Sequence, residues 1–138
     1  MRLIVLDTNV LVAARINSEG IPSRVIEAAL SSVVKAVVCP LVLAEYRDVT
    51  SRSKFHRYGF PPLWLETLIE KSVLCPNPPQ WPYRCPDPGD IPFLALAHAA
   101  GAWLVTGNLK HFPEAARGGV KVISPAEYMA SLKAGSLE

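Results

Sequence analysis

Three carboxylates occupy positions at which a parallel sheet would bring them together: Asp7, Glu45 and Asp90. Asp7 ends an apolar run, Glu45 interrupts an apolar stretch that begins at Leu41, and Asp90 precedes another apolar stretch. Carboxylate oxygens are the ligands that Mg²⁺ and Mn²⁺ prefer, and such ions can activate water against a phosphodiester. We therefore predict a divalent-metal site formed by Asp7, Glu45 and Asp90.

Each acid also has a simpler explanation when it is considered alone. Asp7 could cap a helix, Asp90 could favour a helix dipole, and Glu45 could form a surface ion pair with Arg47 or Arg2. Three such explanations at one edge of a sheet are less probable than one site. The sequence contains no G-x-S-x-G elbow, no cysteine close to a histidine and no phosphate-binding glycine loop.

The elements that would position these acids alternate between buried strands and helices. Continuous apolar runs predict strands of a parallel sheet at residues 3–6, 36–39, 102–106 and 120–123. Helices are expected from Pro22, over residues 41–50, 61–73 and 90–100, and from the Ser124 capping box onward. This alternation predicts a three-layer α/β/α sandwich with a mostly parallel central sheet. In such sheets, ligands bind outside the carboxyl ends of the strands.

The composition indicates one globular domain and no membrane-spanning segment. The chain has 138 residues, 50% of them hydrophobic, with a net charge of +2. We expect a single domain over residues 1–133 and a tail over 134–138 that is either a frayed end or a remnant added for expression. The three cysteines lack disulfide or zinc spacing, so free thiols and a cytoplasmic location are expected. No segment is long and apolar enough to span a bilayer.

A cluster of basic residues follows the predicted metal ligand Glu45. It is formed by Arg47, Arg52, Lys54, His56 and Arg57. Either this cluster is a solvated helix end, or Arg47, Arg52, Lys54 and Arg57 contact the phosphates of RNA. The proline-dense stretch 75–92 that lies further along is expected to be a loop.

Ordered motifs over nearly the whole chain resemble those of the PIN domain. They are LDTNVL at 6–11, proline and glutamate at 40 and 45, DPGDIPFLALA at 87–97 and WLVTGN at 103–108. The segment RSKFHRYGF at 52–60 is similar to the PIN subgroup of toxins from toxin–antitoxin pairs. The resemblance implies cleavage of single-stranded RNA with Mg²⁺ or Mn²⁺, by a homodimer that a small antitoxin silences.

The same resemblance assigns roles to individual residues. The acidic ligands fall on Asp7, Glu45 and Asp90, and the polar positions that support them fall on Thr8, Asn9 and Thr106. The fourth position, usually aspartate, is Asn108 here, so that the affinity for a second ion is in question. Asp87 is expected to be a turn residue, and His111 a surface histidine, although it could contact a phosphate.

Two other functions remain as alternatives to the ribonuclease. One is a non-catalytic PIN-like scaffold that binds RNA or a partner protein, its activity weakened by Asn108. The other is a phosphohydrolase in which Asp7 forms an aspartyl phosphate. Such enzymes typically carry a second acid two residues later, where this chain has Asn9.

Overall fold

The apolar runs of the sequence form adjacent strands of one parallel sheet. In the computed structural model, which describes residues 3–135, the five strands lie in the order β3-β2-β1-β4-β5 and every neighbouring pair is parallel. The strands are β1 (Leu3–Leu6), β2 (Lys35–Val38), β3 (Val73–Leu74), β4 (Trp103–Val105) and β5 (Val122–Ile123). The predicted α/β class with its parallel central sheet is confirmed.

Helices connect these strands, and their ends follow the chemistry of the sequence. They are α1 (Thr8–Ile16), α2 (Ile21–Leu30), α3 (Pro40–Thr50), α4 (Trp64–Lys71), α5 (Ile91–Ala100) and α6 (Pro125–Lys133). Proline occupies the first turn of α2, α3, α5 and α6, where its missing N–H costs nothing. Gly101 ends α5 in the left-handed region (φ 65°), and the Ser124 Oγ accepts a hydrogen bond from the Glu127 N–H at 3.1 Å.

The structure differs in two details from the predictions for the segment after α3. The helix expected over 61–73 begins only at Trp64 and ends at Lys71. Residues 73 and 74 form β3, a strand that was not predicted, at the edge of the sheet beside β2. A strand of two exposed residues has no periodicity to detect, because only its pairing with β2 defines it.

The apolar core lies around the sheet and is centred on α5 and β1. Ile4, Val5 and Leu6 of β1 are at most 1% exposed. Residues 93–97 of helix α5 are apolar and buried, and the helix contacts β1, β2 and β4. Helix α2 packs against α1, α4 and α6. Among the described residues, no helix has the length and apolarity to cross a membrane.

The ends of the chain bear on the predicted domain boundary. Helix α6 ends at Lys133, where the predicted tail over 134–138 would begin. Residues 136–138 of that tail lie outside the described residues.

Candidate active site

The site lies where the strand order reverses. From β1 the chain proceeds to β2 and β3 on one side and returns to β4 and β5 on the other. A crevice is therefore expected between the carboxyl ends of β1 and β4. Asp7 directly follows β1, and Thr106 directly follows β4. The Asp7 N–H donates to the Val105 carbonyl at 2.9 Å, so the two strand ends lie level with each other.

The Asp7 carboxylate is held by side chains from both strand ends. The Thr106 hydroxyl donates to Asp7 Oδ2 at 2.8 Å, and Asn9 Nδ2 donates to the same oxygen at 3.3 Å. Asn9 Oδ1 in turn accepts from the Gly107 N–H at 2.9 Å, and Thr106 Oγ1 accepts from the Asn108 N–H at 3.1 Å. The structure thus brings together Asp7, Asn9, Thr106 and Asn108, four of the residues predicted from the sequence.

Burial is the main influence on the ionisation of Asp7. Asp7 is only 5% exposed, and desolvation raises the pKa of its carboxyl. The Thr106 hydroxyl opposes this shift, as do the nearby N–H groups of Asn9 and Thr8 and the charge of His111. Asp7 is the residue before α1, but its side chain accepts no capping hydrogen bond from the helix. The role of a helix cap therefore does not explain why an aspartate occupies this position. The charged form of Asp7 would gain from a bound cation.

Asp90 is a second carboxyl in a similar position, at the N-terminus of α5. Its side chain is 14% exposed, and its Oδ2 lies 3.2 Å from Nδ1 of His111. That oxygen is buried and has no partner at hydrogen-bond geometry. Burial, followed by the charges of Asp7 and Asp87, raises the pKa of Asp90 to about 6, although His111 lowers it. Asp7 and Asp90 are therefore close enough to repel each other.

His111 belongs to the site, which the sequence analysis missed by treating it as a surface histidine. Its ring contacts Asp90 through Nδ1 and lies 2.9 Å from Asn108 Nδ2 through Nε2. His111 ends a 3₁₀ turn (Leu109–His111) that follows Asn108. Because side chains three residues apart eclipse each other in a 3₁₀ turn, the Asn108–His111 spacing was the signal that could have found it.

Glu45 is not grouped with the two aspartates. It is half-buried on α3, and no set of three acidic, histidine or cysteine side chains within residues 3–135 is close enough to hold an ion. Its neighbour Tyr46 is buried and donates to the Leu6 carbonyl at 2.6 Å, which ties α3 to the end of β1. Arg47 pairs with Glu66 at 2.7 Å rather than with Glu45.

Thr8 and Asp87 complete the residues near the site that the sequence singled out. Thr8 is buried, and its hydroxyl has no hydrogen-bond partner among the described residues. Asp87 accepts a hydrogen bond from the Gly89 N–H at 2.9 Å, which is the turn role expected for it.

Two of the four predicted RNA-binding residues are engaged in ion pairs within the chain. Arg47 pairs with Glu66 at 2.7 Å, and Arg52 pairs with Asp48 at 2.9 Å. All four side chains are at least 48% exposed, so these pairs stabilise the fold little. The two pairs do, however, neutralise two of the four predicted RNA-binding residues.

The other two predicted RNA-binding residues lie over aromatic rings. Lys54 Nζ is 5.1 Å from the centre of the Phe55 ring, and Arg57 stacks 4.7 Å from the centre of the Tyr58 ring. Within residues 3–135, neither cation has a carboxylate at ion-pair distance. Phe55 also lines an apolar cleft of about 580 Å³ that extends to Thr8 and Asn9 at the site.

The chemistry of Asp7, Asp90 and Asn108 fits a divalent cation. All three offer hard oxygen donors, which Mg²⁺ and Mn²⁺ prefer. The buried Asp90 Oδ2 lacks a hydrogen-bond donor, and both aspartates ionise less readily than usual because each is buried. A cation between them would relieve both their repulsion and their loss of solvation.

Comparison with known proteins identifies the family to which the chain belongs. A family model described as "PIN domain" matches residues 3–110, most of the chain, so the chain belongs to the PIN-domain family. PIN domains are generally nucleases that use divalent metal ions. No curated protein matches the chain.

The solved structures that match include one from Rickettsia felis. It is a chain in the crystal structure of VapBC2 bound to a DNA fragment from their promoter. The TM-score is 0.63 at 18% sequence identity, and the match covers 88% of this chain and 98% of that chain. At this identity the match demonstrates a shared fold.

Proposed function

We propose that this protein is an endoribonuclease that hydrolyses phosphodiester bonds in single-stranded RNA with Mg²⁺ or Mn²⁺. The observation that carries the proposal is the pairing of buried Asp7 with Asp90, whose side chain is 14% exposed, at the point where the strand order reverses, with the pKa of both carboxyls raised. Two charged carboxylates that are close together and mostly removed from water destabilise the fold unless a cation neutralises them. The nuclease character of the PIN family supports the same conclusion.

The residues of the chain would serve this reaction in distinct ways. Thr106 and Asn9 hold the Asp7 carboxylate in one orientation. Asp90 offers a buried oxygen without a partner at hydrogen-bond geometry, and Glu45 on α3 is the proposed third ligand. When bound, the divalent ion neutralises charge on the phosphate and activates the attacking water.

Lys54 and Arg57 are the proposed phosphate contacts within the basic cluster. Their charges are not shared with a carboxylate of residues 3–135, whereas Arg47 and Arg52 are paired with acids. Replacing Lys54 and Arg57 with glutamine should weaken single-stranded RNA binding and reduce the salt slope by about 0.7 per lost phosphate contact. The matched double variant of Arg47 and Arg52 should change that slope less. Equal slopes for both double variants would contradict this assignment.

We further propose that the protein is the toxin of a toxin–antitoxin pair, acts in the cytoplasm and forms a homodimer. The segment at 52–60 that is similar to PIN toxins supports this proposal. The fold shared with a chain of the VapBC2 complex, which was crystallised with promoter DNA, also supports a partner that binds DNA. Co-purification with the product of a neighbouring short reading frame would test it.

The ribonuclease proposal is tested by incubating the purified protein with a mixed RNA pool in Mn²⁺ or in chelator. Cleavage should require Mn²⁺, and Asp7→Asn and Asp90→Asn should each abolish it. Asp48→Asn is the matched control, because Asp48 is exposed and lies in a surface pair with Arg52. Cleavage that survives either Asp7→Asn or the chelator would contradict the proposal.

A non-catalytic scaffold is the second candidate, and two observations favour it. Asn108 replaces the usual fourth acid, and Glu45 is not grouped with Asp7 and Asp90. In that case the same incubation would leave RNA intact, and a gel shift would show RNA binding without Mn²⁺.

A further inference from the structure

His111 connects the two sides of the proposed metal site. Asp90 begins α5, whereas Asn108 follows β4 on the other side of the crevice. The imidazole spans the space between them, with Nδ1 at 3.2 Å from Asp90 Oδ2 and Nε2 at 2.9 Å from Asn108 Nδ2.

The contact with Asn108 determines which ring nitrogen carries the proton in the neutral ring. The Asn108 amide nitrogen can only donate, so Nε2 accepts and the proton lies on Nδ1, which is 3.2 Å from Asp90 Oδ2 but outside hydrogen-bond geometry. Because the Asn108 amide nitrogen points at His111, the carbonyl oxygen of the same amide points away from the ring. The backbone N–H of Asn108 donates to Thr106 Oγ1 at 3.1 Å, which fixes the base of this side chain. The ring therefore orients the amide and the carboxylate together.

We propose that His111 is a positioning residue that holds the Asp90 carboxylate and the Asn108 amide in the orientation that a divalent ion requires. The inference rests on the proposed function, since it concerns the same site. It also explains how a site with an amide at the usual position of a fourth acid keeps its oxygen oriented. Groups that orient metal ligands typically contribute 10- to 100-fold to metal affinity.

The binding of Mn²⁺ to the full chain, measured by calorimetry, tests the inference without RNA. His111→Ala should raise the Mn²⁺ dissociation constant by about 10- to 100-fold. His111→Asn should recover most of the affinity, because its amide nitrogen can replace Nδ1 as a neighbour of Asp90. His56→Ala is the matched control: its ring is exposed and lies 3.3 Å from the Ser51 carbonyl, and Mn²⁺ affinity should not change.

A second measurement follows Asn108 itself in the presence of chelator. The side-chain NH₂ signals of Asn108 in nitrogen-15 NMR spectra should shift on His111→Ala and remain in place on His56→Ala. Comparable melting temperatures for both variants would show that the fold is retained, because His111 is 45% exposed.

The outcomes separate the inference from the proposed function. Wild-type Mn²⁺ binding that is unchanged by His111→Ala would overturn the role of His111 and leave the ribonuclease proposal intact. Unchanged Asn108 signals would overturn it as well. A wild-type protein that does not bind Mn²⁺ would contradict the ribonuclease proposal, and the inference with it.

Discussion

Asp90→Asn should stabilise the metal-free protein at neutral pH, although it removes a proposed metal ligand. The pKa of Asp90 is raised to about 6 from an ordinary value of 3.8, because the carboxylate is buried beside Asp7 and Asp87. A raised folded-state pKa means that this group stabilises the fold below pH 3.8 and that the contribution is lost as the pH rises through 6. Asparagine avoids that loss because it carries no charge.

The magnitude follows from the size of the pKa shift. A shift of about two units corresponds to about 3 kcal/mol at 1.36 kcal/mol per unit. The Asp90 side chain is 14% exposed, so solvent screens part of this contribution and about 3 kcal/mol is its upper limit. Asp90→Asn should therefore raise the free energy of unfolding by up to about 3 kcal/mol at pH 7.5, and by about half as much at pH 5.

Urea unfolding in chelator at several pH values provides the measurement. The difference between Asp90→Asn and wild type at each pH reports the contribution of the Asp90 carboxyl. Asp48→Asn serves as the control, since Asp48 is exposed and its substitution should change stability by less than about 0.5 kcal/mol. If Asp90→Asn is no more stable than wild type at pH 7.5 in chelator, then the charged Asp90 carboxylate does not destabilise the fold and the reasoning is refuted.

Mn²⁺ should reverse the order of stability of these two proteins. A ligand at about 1,000 times its dissociation constant stabilises the folded state by about 4.1 kcal/mol, which exceeds the advantage of up to about 3 kcal/mol expected for Asp90→Asn. Wild type should gain this stabilisation and Asp90→Asn should not. An equal gain in both proteins would show that Mn²⁺ binds elsewhere.

Three further substitutions test the surroundings of the site. Thr106→Val removes the donor to Asp7 Oδ2 at nearly constant shape and should lower the free energy of urea unfolding by about 1–3 kcal/mol. Tyr46→Phe removes the hydroxyl that donates to the buried Leu6 carbonyl at 2.6 Å. It should lower the free energy of urea unfolding by about 1–3 kcal/mol. Asn108→Asp adds a third carboxylate, so calorimetry should show tighter Mn²⁺ binding, while the melting temperature in chelator should fall.

The sequence alone was sufficient for the strands and helices whose signal is local. Buried runs such as Leu3–Leu6 are apolar throughout, and helix boundaries carry proline, glycine or a capping serine. The acids Asp7 and Asp90 could also be found, because each directly follows or precedes a buried element. Such features depend only on residues that are neighbours in the chain, so they can be predicted from the sequence.

Only the tertiary structure decided which side chains meet. The hydrogen bond from Thr106 to Asp7 joins residues 99 positions apart, and it depends on β4 lying beside β1 in register. The neutralisation of Arg47 by Glu66 and the contact of His111 with Asp90 likewise connect separate elements. Strand order and helix packing determine these distances of a few ångström, and no local pattern specifies them.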